Sequence, residues 1–285
     1  MSGTTTNRET HKHPVVHIQS TKGMAPISFA ELWAYREVIF YLTWRDVKVR
    51  YKQTIFGASW AIMQPLLTMV IFSIIFGRVA KIPSDGIPYP IFSYAALLPW
   101  TFFASSVTKA SNSLVGGGGM VKQIYFPRLA IPLSSMMSGA VDFVLAFSVL
   151  VVMMMYYGIV PTLNVIWLPA LLLLTVITAL GVSLVLTAMN VQFRDVKHAI
   201  GFLIQAWMYA TPVVYPLSVI EDPLWKLVYA LNPMVGVVEG FRWALLGTQT
   251  APGEYILISA AMAVVLFVFG LYYFKRMERT FADVM

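Results

Sequence analysis

Six stretches of roughly 20 residues or more are apolar and nearly free of charge: 58–77, 90–110, 131–157, 165–191, 198–216 and 255–274. A helix needs about 20 such residues to cross the hydrocarbon core of a bilayer. Six of them in 285 residues leave too little polar surface for a water-soluble fold. The composition follows from these runs. It is 58% hydrophobic and 12% charged, where a soluble domain has about 25% charged residues. The predicted fold class is all-α integral membrane, with six transmembrane helices per subunit. Pro65, Pro99 and Pro212 fall inside the runs. They are expected to be tolerated, because neighbouring helices can re-satisfy the carbonyls that a proline frees.

Orientation is read from lysine and arginine in the short connections. With the N-terminus inside, the inner segments hold 15 of the 20 basic residues and the outer ones hold Arg78, Lys81, Lys226 and Arg242. Lys109 lies near the end of the second run. This asymmetry predicts six spans with both termini cytoplasmic. Residues 1–27 are polar and lack the apolar core of a cleavable signal peptide. They are expected to form a cytoplasmic tail, as are residues 275–285.

Three segments are not spans. The first, 28–57, opens with Ser28 and Glu31 in a capping-box spacing. Phe40, Trp44, Val47 and Tyr51 follow on one helical face, and Arg45, Lys48 and Lys52 on another. An apolar stripe opposite a basic one suits an amphipathic helix lying in the inner interface; a helix packed on other protein is the alternative. Gly57 ends it.

The second segment, 112–131, holds Gly116 to Gly119 and then Lys122. It is not a P-loop, in which lysine directly follows glycine and precedes a hydroxyl residue. Here Gln123 takes the hydroxyl's place. Met120–Phe126, closed by Pro127, reads as a short helix offered to a partner or as a plain connector. The third, 217–253, contains Asp222-Pro223 and Asn232-Pro233, each an N-cap followed by proline at the first helical position. Helices over 223–231 and 233–246 follow, too short to span. They form either a re-entrant outer pair or a surface cap.

No catalytic constellation is present. The 13 carboxylates are dispersed and there is no cysteine, so no thiolate metal site and no thiol nucleophile can form. His11, His13 and His17 stand in the polar tail, and His198 at the inner start of the fifth run. Asp142 is the exception, about 15 Å into the third run at 1.5 Å per residue. An ionisable group at that depth is costly unless paired or wetted, which marks it as a functional candidate. A structural hydrogen bond, conduit lining and proton coupling all remain open for it. Aromatic residues are the second candidate. Phe72, Phe76, Tyr94, Trp100, Trp207, Tyr209 and Tyr215 offer faces on which sugar rings can stack, although such residues also serve as interface anchors and packing.

The run Val49-Arg50-Tyr51-Lys52-Gln53-Thr54-Ile55-Phe56-Gly57-Ala58-Ser59-Trp60-Ala61 closely resembles the R-Y-K-x-T-x-L-G-x-x-W signature of type-2 ABC exporter permeases that move O-antigen, capsule or teichoic acid polymers. Phe56 stands where that family usually has leucine. Phe126-Pro127-Arg128, Asn190 to Val196, Thr211 to Pro216 and Leu231 to Met234 resemble its later blocks, so the resemblance spans about residues 30–280. It implies a homodimer of six-span subunits (58–274) with two copies of a separate nucleotide-binding ATPase. ATP and magnesium would then be bound by that partner, and no cofactor or metal by this chain. Arg50, Lys52, Phe56, Gly57 and Trp60 would flank the lateral entrance of an undecaprenyl-linked polysaccharide. Met120, Val121, Lys122, Gln123, Ile124, Tyr125, Phe126, Pro127 and Arg128 would form the coupling helix at the ATPase. The outer pair, with Asn232, Pro233, Glu239 and Arg242, would be an external gate. The implied function is ATP-driven export across the bacterial inner membrane, with membrane lipid but no nucleic acid as a partner. Teichoic acid or capsule export, a small-lipid or drug exporter and a membrane glycosyltransferase are the alternatives.

Overall fold

The computed structural model describes residues 29–52, 59–116, 127–193, 195–247, 253–278 and 281. Among these there are helices and no strands. Helix α1 is Phe29–Ala34 and α2 is Arg36–Lys52. Helix α3, Ser59–Phe72, passes into a π-helical turn at Ser73–Val79. Then come α4 (Tyr89–Gly116), α5 (Ala130–Met137) and α6 (Gly139–Tyr157). A 3-10 turn at Leu163–Trp167 leads into α7 (Leu168–Gln192), followed by α8 (Val196–Tyr209). The chain ends with α9 (Pro223–Ala230), α10 (Pro233–Leu246) and α11 (Gly253–Glu278).

Five of these units are long and apolar enough to cross a bilayer: Ser59–Val79, Tyr89–Gly116, Ala130–Tyr157, Leu163–Gln192 and Gly253–Glu278. The fifth expected run, 198–216, differs. Its helix has 14 residues, about 21 Å at 1.5 Å per residue, which is short of the ~30 Å core. Pro212 accounts for the stop. It lacks an N–H, its ring clashes with the carbonyl four residues back, and it disfavours helical geometry at Thr211. Pro65 and Pro99, by contrast, lie inside α3 and α4 without ending them.

Helix α4 is the axis of the core: from Ile91 to Trp100 every residue is buried. Helix α7 packs against it and against α11. The α7–α11 contact needs glycine, since a Cβ on Gly181 would lie 2.7 Å from the backbone of Leu266. Close backbone approach through small residues is how helices associate where lipid removes the hydrophobic drive. Apolar side chains left outside this core are numerous. On α3, Leu67, Val70 and Ile71 are exposed; on α11, Leu257, Val264, Val265 and Val268 are.

Helix α2 lies along α5, and its faces differ from the expected stripe. Ile39, Leu42 and Val47 are buried, while Phe40 and Trp44 stay exposed. The body-facing row is Ile39, Leu42, Thr43, Asp46 and Arg50, spaced three or four apart as one helical face requires. Its polar members have partners there: Thr43 lies 3.5 Å from the Ser134 carbonyl, and Ser135 donates to Asp46 at 3.3 Å. The aromatic face turns away from the body, and Lys48 sits over the Trp44 ring at 5.6 Å.

Candidate functional site: an aromatic cavity bounded by an ionic cluster

Helices α2, α3, α4, α6 and α8 surround a cavity of about 1110 Å³. Its walls are of two kinds. Trp60, Phe72, Trp100, Phe102, Phe143 and Tyr209 supply aromatic surface. Gln64, Thr68, Thr101, Ser105, Thr108 and Gln205 supply neutral hydrogen-bonding groups. Edge and tilted ring contacts hold the aromatics in place: Phe102 lies 5.4 Å from Phe143, and Trp100 lies 5.4 Å from Phe103. Such geometry adds about 0.5–1.5 kcal/mol per pair beyond burial.

The charged lining residues of this cavity are Arg50, Lys109 and Asp142. The Asp142 carboxylate accepts from the Arg50 guanidinium on one oxygen and from the Tyr51 hydroxyl on the other. Lys109 donates to it at 2.9 Å, and Arg50 also reaches the Ser138 hydroxyl at 3.0 Å. Three helices therefore meet at one carboxylate: α2, α4 and α6. Burial, together with the bond to Asp142, pushes the Tyr51 phenol up to about 12. The depth of Asp142 is thus compensated by two cations that come from elsewhere in the chain. The family resemblance implies only an entrance position for Arg50. Lys109 had no assigned role, although a lone lysine inside one apolar run and a lone aspartate inside the next form a pairing signal.

A second cavity of about 720 Å³ lies between α2, α4 and α5. Asn112, Ser113, Ser134, Ser135 and Ser138 line it, along with Arg45 and Asp46. Both cavities include Arg50 and Lys109 in their walls.

The residues singled out from sequence take different places. Phe72, Trp100, Tyr209, Asp142 and Trp60 line the larger cavity. Tyr94, Phe76, Trp207 and Tyr215 do not; each packs inside the subunit. Tyr94 is fully buried and donates to the Ala146 carbonyl at 3.0 Å. Phe76 stands edge-on to Phe72 at 5.4 Å, and Trp207 donates to Asn232 at 2.9 Å. Tyr215 lies 3.3 Å from the Tyr229 hydroxyl. Phe56, Gly57 and Met120 to Phe126 lie outside the described residues. Lys52 is exposed, at the last described residue of α2, and Pro127 is part-buried before α5. Arg128 donates to the Glu278 carbonyl at 2.8 Å and stacks on Phe281, tying the start of α5 to the end of α11.

Asn232, Pro233, Glu239 and Arg242 form a separate cluster. Asn232 caps α10 through the Met234 N–H at 3.1 Å and donates to the Thr211 hydroxyl at 2.9 Å. Arg242 is wholly buried. It donates to the carbonyls of Pro212 and Val213, both at 2.7 Å, and of Tyr215 at 3.2 Å. Its guanidinium also pairs with Glu239 at 2.9 Å and lies 3.7 Å from the Phe92 ring centre. Burial pushes the Glu239 carboxyl above its usual range, against the pull of Arg242. The carbonyls of the irregular segment that follows α8 are therefore satisfied by one arginine from α10. Irregular backbone within a membrane protein is tolerated where protein supplies such partners.

Among the described residues, no three His, Cys, Asp or Glu side chains are grouped so as to hold a metal ion. The larger cavity suits a neutral, ring-bearing, hydroxyl-rich molecule, with stacking faces on its walls and amides and hydroxyls between them.

Residues 37–246 match the family described as ABC-2 type transporter. The chain is 31% identical over 255 residues to the O-antigen export system permease protein RfbA of Myxococcus xanthus, covering 89% of this chain and 97% of the relative. It is 32% identical over 251 residues to the protein of the same name from Klebsiella pneumoniae, covering 87% and 95%. The polysialic acid transport protein KpsM of Escherichia coli is 24% identical over 243 residues, covering 82% and 91%.

Proposed function

The chain belongs to the ABC-2 type transporter family, and on that premise we propose that it is the membrane permease subunit of a polysaccharide exporter, with lipid-linked O-antigen as the cargo. The observation that carries the substrate class is the similarity, over nearly its whole length, to permeases named for O-antigen export. The larger cavity supports it: its aromatic and neutral polar side chains give stacking and hydrogen bonding without demanding one linkage. The likeness to KpsM supports capsule-type polysaccharide as the second reading.

In this reading the subunit works as a homodimer in the bacterial inner membrane. The exposed apolar faces of α3 and α11 supply surface for lipid and for the second copy. Two copies of a separate ATPase bind and hydrolyse ATP with magnesium and drive the cycle. Six crossings with both termini cytoplasmic require α8 and the segment 210–216 to complete the fifth crossing together. Helix α2, with Phe40 and Trp44 outward and Lys48 beside them, suits the interfacial position, since amphipathic aromatics and basic residues favour that layer. Residues 112–131 couple to the ATPase, and α9 with α10 close the outer end.

The test is purification of the tagged chain from its native membranes, followed by an ATPase assay and by deletion of its gene. The expected results are a co-purifying nucleotide-binding subunit with vanadate-sensitive hydrolysis, and loss of surface polysaccharide with lipid-linked polymer retained inside the cell. A chain that purifies alone under gentle detergents, or a deletion that leaves surface polysaccharide intact, refutes the assignment.

A further inference from the structure

Among the described residues the buried apolar side chains fall into two clusters. The larger one follows the spanning helices. The smaller one collects helix ends: Leu42 of α2, Leu114 near the end of α4, Ala130 at the start of α5, Val191 near the end of α7 and Phe274 near the end of α11. In the proposed orientation these ends are cytoplasmic. Phe281 belongs to the same cluster, although it lies three residues beyond the end of α11. It is 1% exposed and stands edge-on to Phe274 at 5.5 Å. Residues just past a terminal helix are ordered only when something ties them down. Arg128 does so from far along the chain. It donates to the Glu278 carbonyl at 2.8 Å and lies over the Phe281 ring at 5.8 Å. That carbonyl is among the last four of α11, which have no partner inside the helix. The Glu278 carboxylate is taken by Lys275 at 2.8 Å, so Arg128 is held by the helix end and the ring rather than by an ion pair.

We propose that Phe281 is a positioning residue for coupling to the ATPase, a wedge that holds both flanks of segment 112–131 against the body of the subunit. This rests on the reading of that segment as the ATPase contact and adds a part of the chain outside it. Leu114 stands on the entry flank, and Leu129, Ala130 and Ile131 stand on the exit flank; all four share the cluster that Phe281 completes. Arg128, also on the exit flank, is joined directly to the end of α11 through Glu278 and Phe281. Movement imposed on the segment is thereby passed to α5 and α11 instead of being taken up in a slack connection. A guanidinium suits both of its tasks. It donates in plane to the carbonyl and presents a flat face to the ring, which lysine lacks. Phe281 itself is too deeply buried to touch a partner. Any effect of its loss on ATPase binding must therefore travel through these contacts.

The test uses the full chain in nanodiscs and the ATPase that co-purifies with it, dissociated and titrated back. ATPase affinity and the melting temperature of the chain are measured side by side. Phe281→Ala is expected to weaken ATPase binding about tenfold, because a loosened segment must be ordered on binding. Phe281→Leu keeps apolar volume but loses the ring under Arg128, and is expected to weaken binding about threefold. Leu150→Ala opens a cavity in the larger cluster. It should lower the melting temperature comparably and leave ATPase affinity unchanged, a split that a merely structural role for Phe281 does not produce. Arg128→Ala combined with Phe281→Ala should bind no more than about twofold worse than Arg128→Ala alone, since the two residues act as one contact. If Phe281→Ala fails to fold, Phe281→Leu carries the test, including the pairing with Arg128→Ala. Unchanged affinity in the Phe281 variant, fully additive losses with Arg128→Ala, or an equal loss in Leu150→Ala overturns the proposal and leaves the coupling reading intact. If no ATPase co-purifies with the unaltered chain, the coupling reading itself falls and takes this inference with it.

Discussion

Arg242 is the residue whose loss has the most definite consequence. Its guanidinium is fully buried and holds the carbonyls of Pro212 and Val213, which lie in the irregular segment beyond the end of α8. In Arg242→Gln a shorter, neutral side chain cannot reach both. Each orphaned carbonyl costs about 1–3 kcal/mol. Leaving one partner of a buried ion pair costs about 3–5 kcal/mol. The second figure is an upper bound here, because Glu239 is already pushed toward protonation by burial and can neutralise. A net easing of local opening at 211–216 of roughly 3–4 kcal/mol is therefore expected. The chain has no cysteine, so Val214→Cys, at 3% exposure, gives a single buried reporter in the segment. At about 1.4 kcal/mol per tenfold, the maleimide labelling rate of that thiol should rise roughly 100-fold or more in Arg242→Gln. Adding Glu239→Gln should slow it again by about tenfold, as the stranded carboxyl disappears. A labelling rate within about fivefold of the Val214→Cys parent would show that Arg242 does not hold this segment.

Three further outcomes follow from the same structure. Asn232→Ala removes the α10 cap and the acceptor for Trp207, and should cost about 2 kcal/mol in graded-detergent unfolding; Asn232→Asp keeps both acceptor roles and should lose less than half of that. Gly181→Ala places a Cβ against the Leu266 backbone and should cost about 2–3 kcal/mol by overpacking, whereas Gly201→Ala in α8 meets nothing within 4 Å and should stabilise by up to about 1 kcal/mol; equal signs for the two would contradict the packing of α7 on α11. The Tyr51 phenol is raised from 10.0 to about 12 in the folded chain, so its contribution is complete below pH 10 and is lost as pH rises toward 12. The wild-type minus Tyr51→Phe phenolate absorbance should accordingly appear near pH 12, and its appearance near pH 10 would deny both the burial of this phenol and its bond to Asp142.

Apolar runs, proline positions and capping residues are local, and they were legible in the sequence. The runs 58–77, 90–110, 131–157, 165–191 and 255–274 correspond to the five long helices, because backbone groups in lipid must be satisfied inside their own segment. Asp222 and Asn232 cap α9 and α10 through the Leu224 and Met234 N–H groups, a bond between residues two apart. What tertiary structure alone decided depends on residues far apart in the chain. Pro99 is carried within α4 while Pro212 ends α8, and residue type does not distinguish them; Arg242, 30 residues beyond Pro212, supplies the donors for the broken segment. The stripe on α2 was misplaced for a related reason. The buried face is chosen by polar partners on α5 and α6 as much as by apolarity, and Asp46 and Arg50 belong to it. The same holds for the aromatics. Tyr94 and Trp100 sit six residues apart on one helix, yet one is consumed by the Ala146 carbonyl and the other faces the cavity. Hydropathy reports that a side chain leaves water. Which neighbour it meets there is set by how α2, α3, α4, α6 and α8 assemble, and so is the pairing of Asp142 with Arg50 and Lys109 from two other helices.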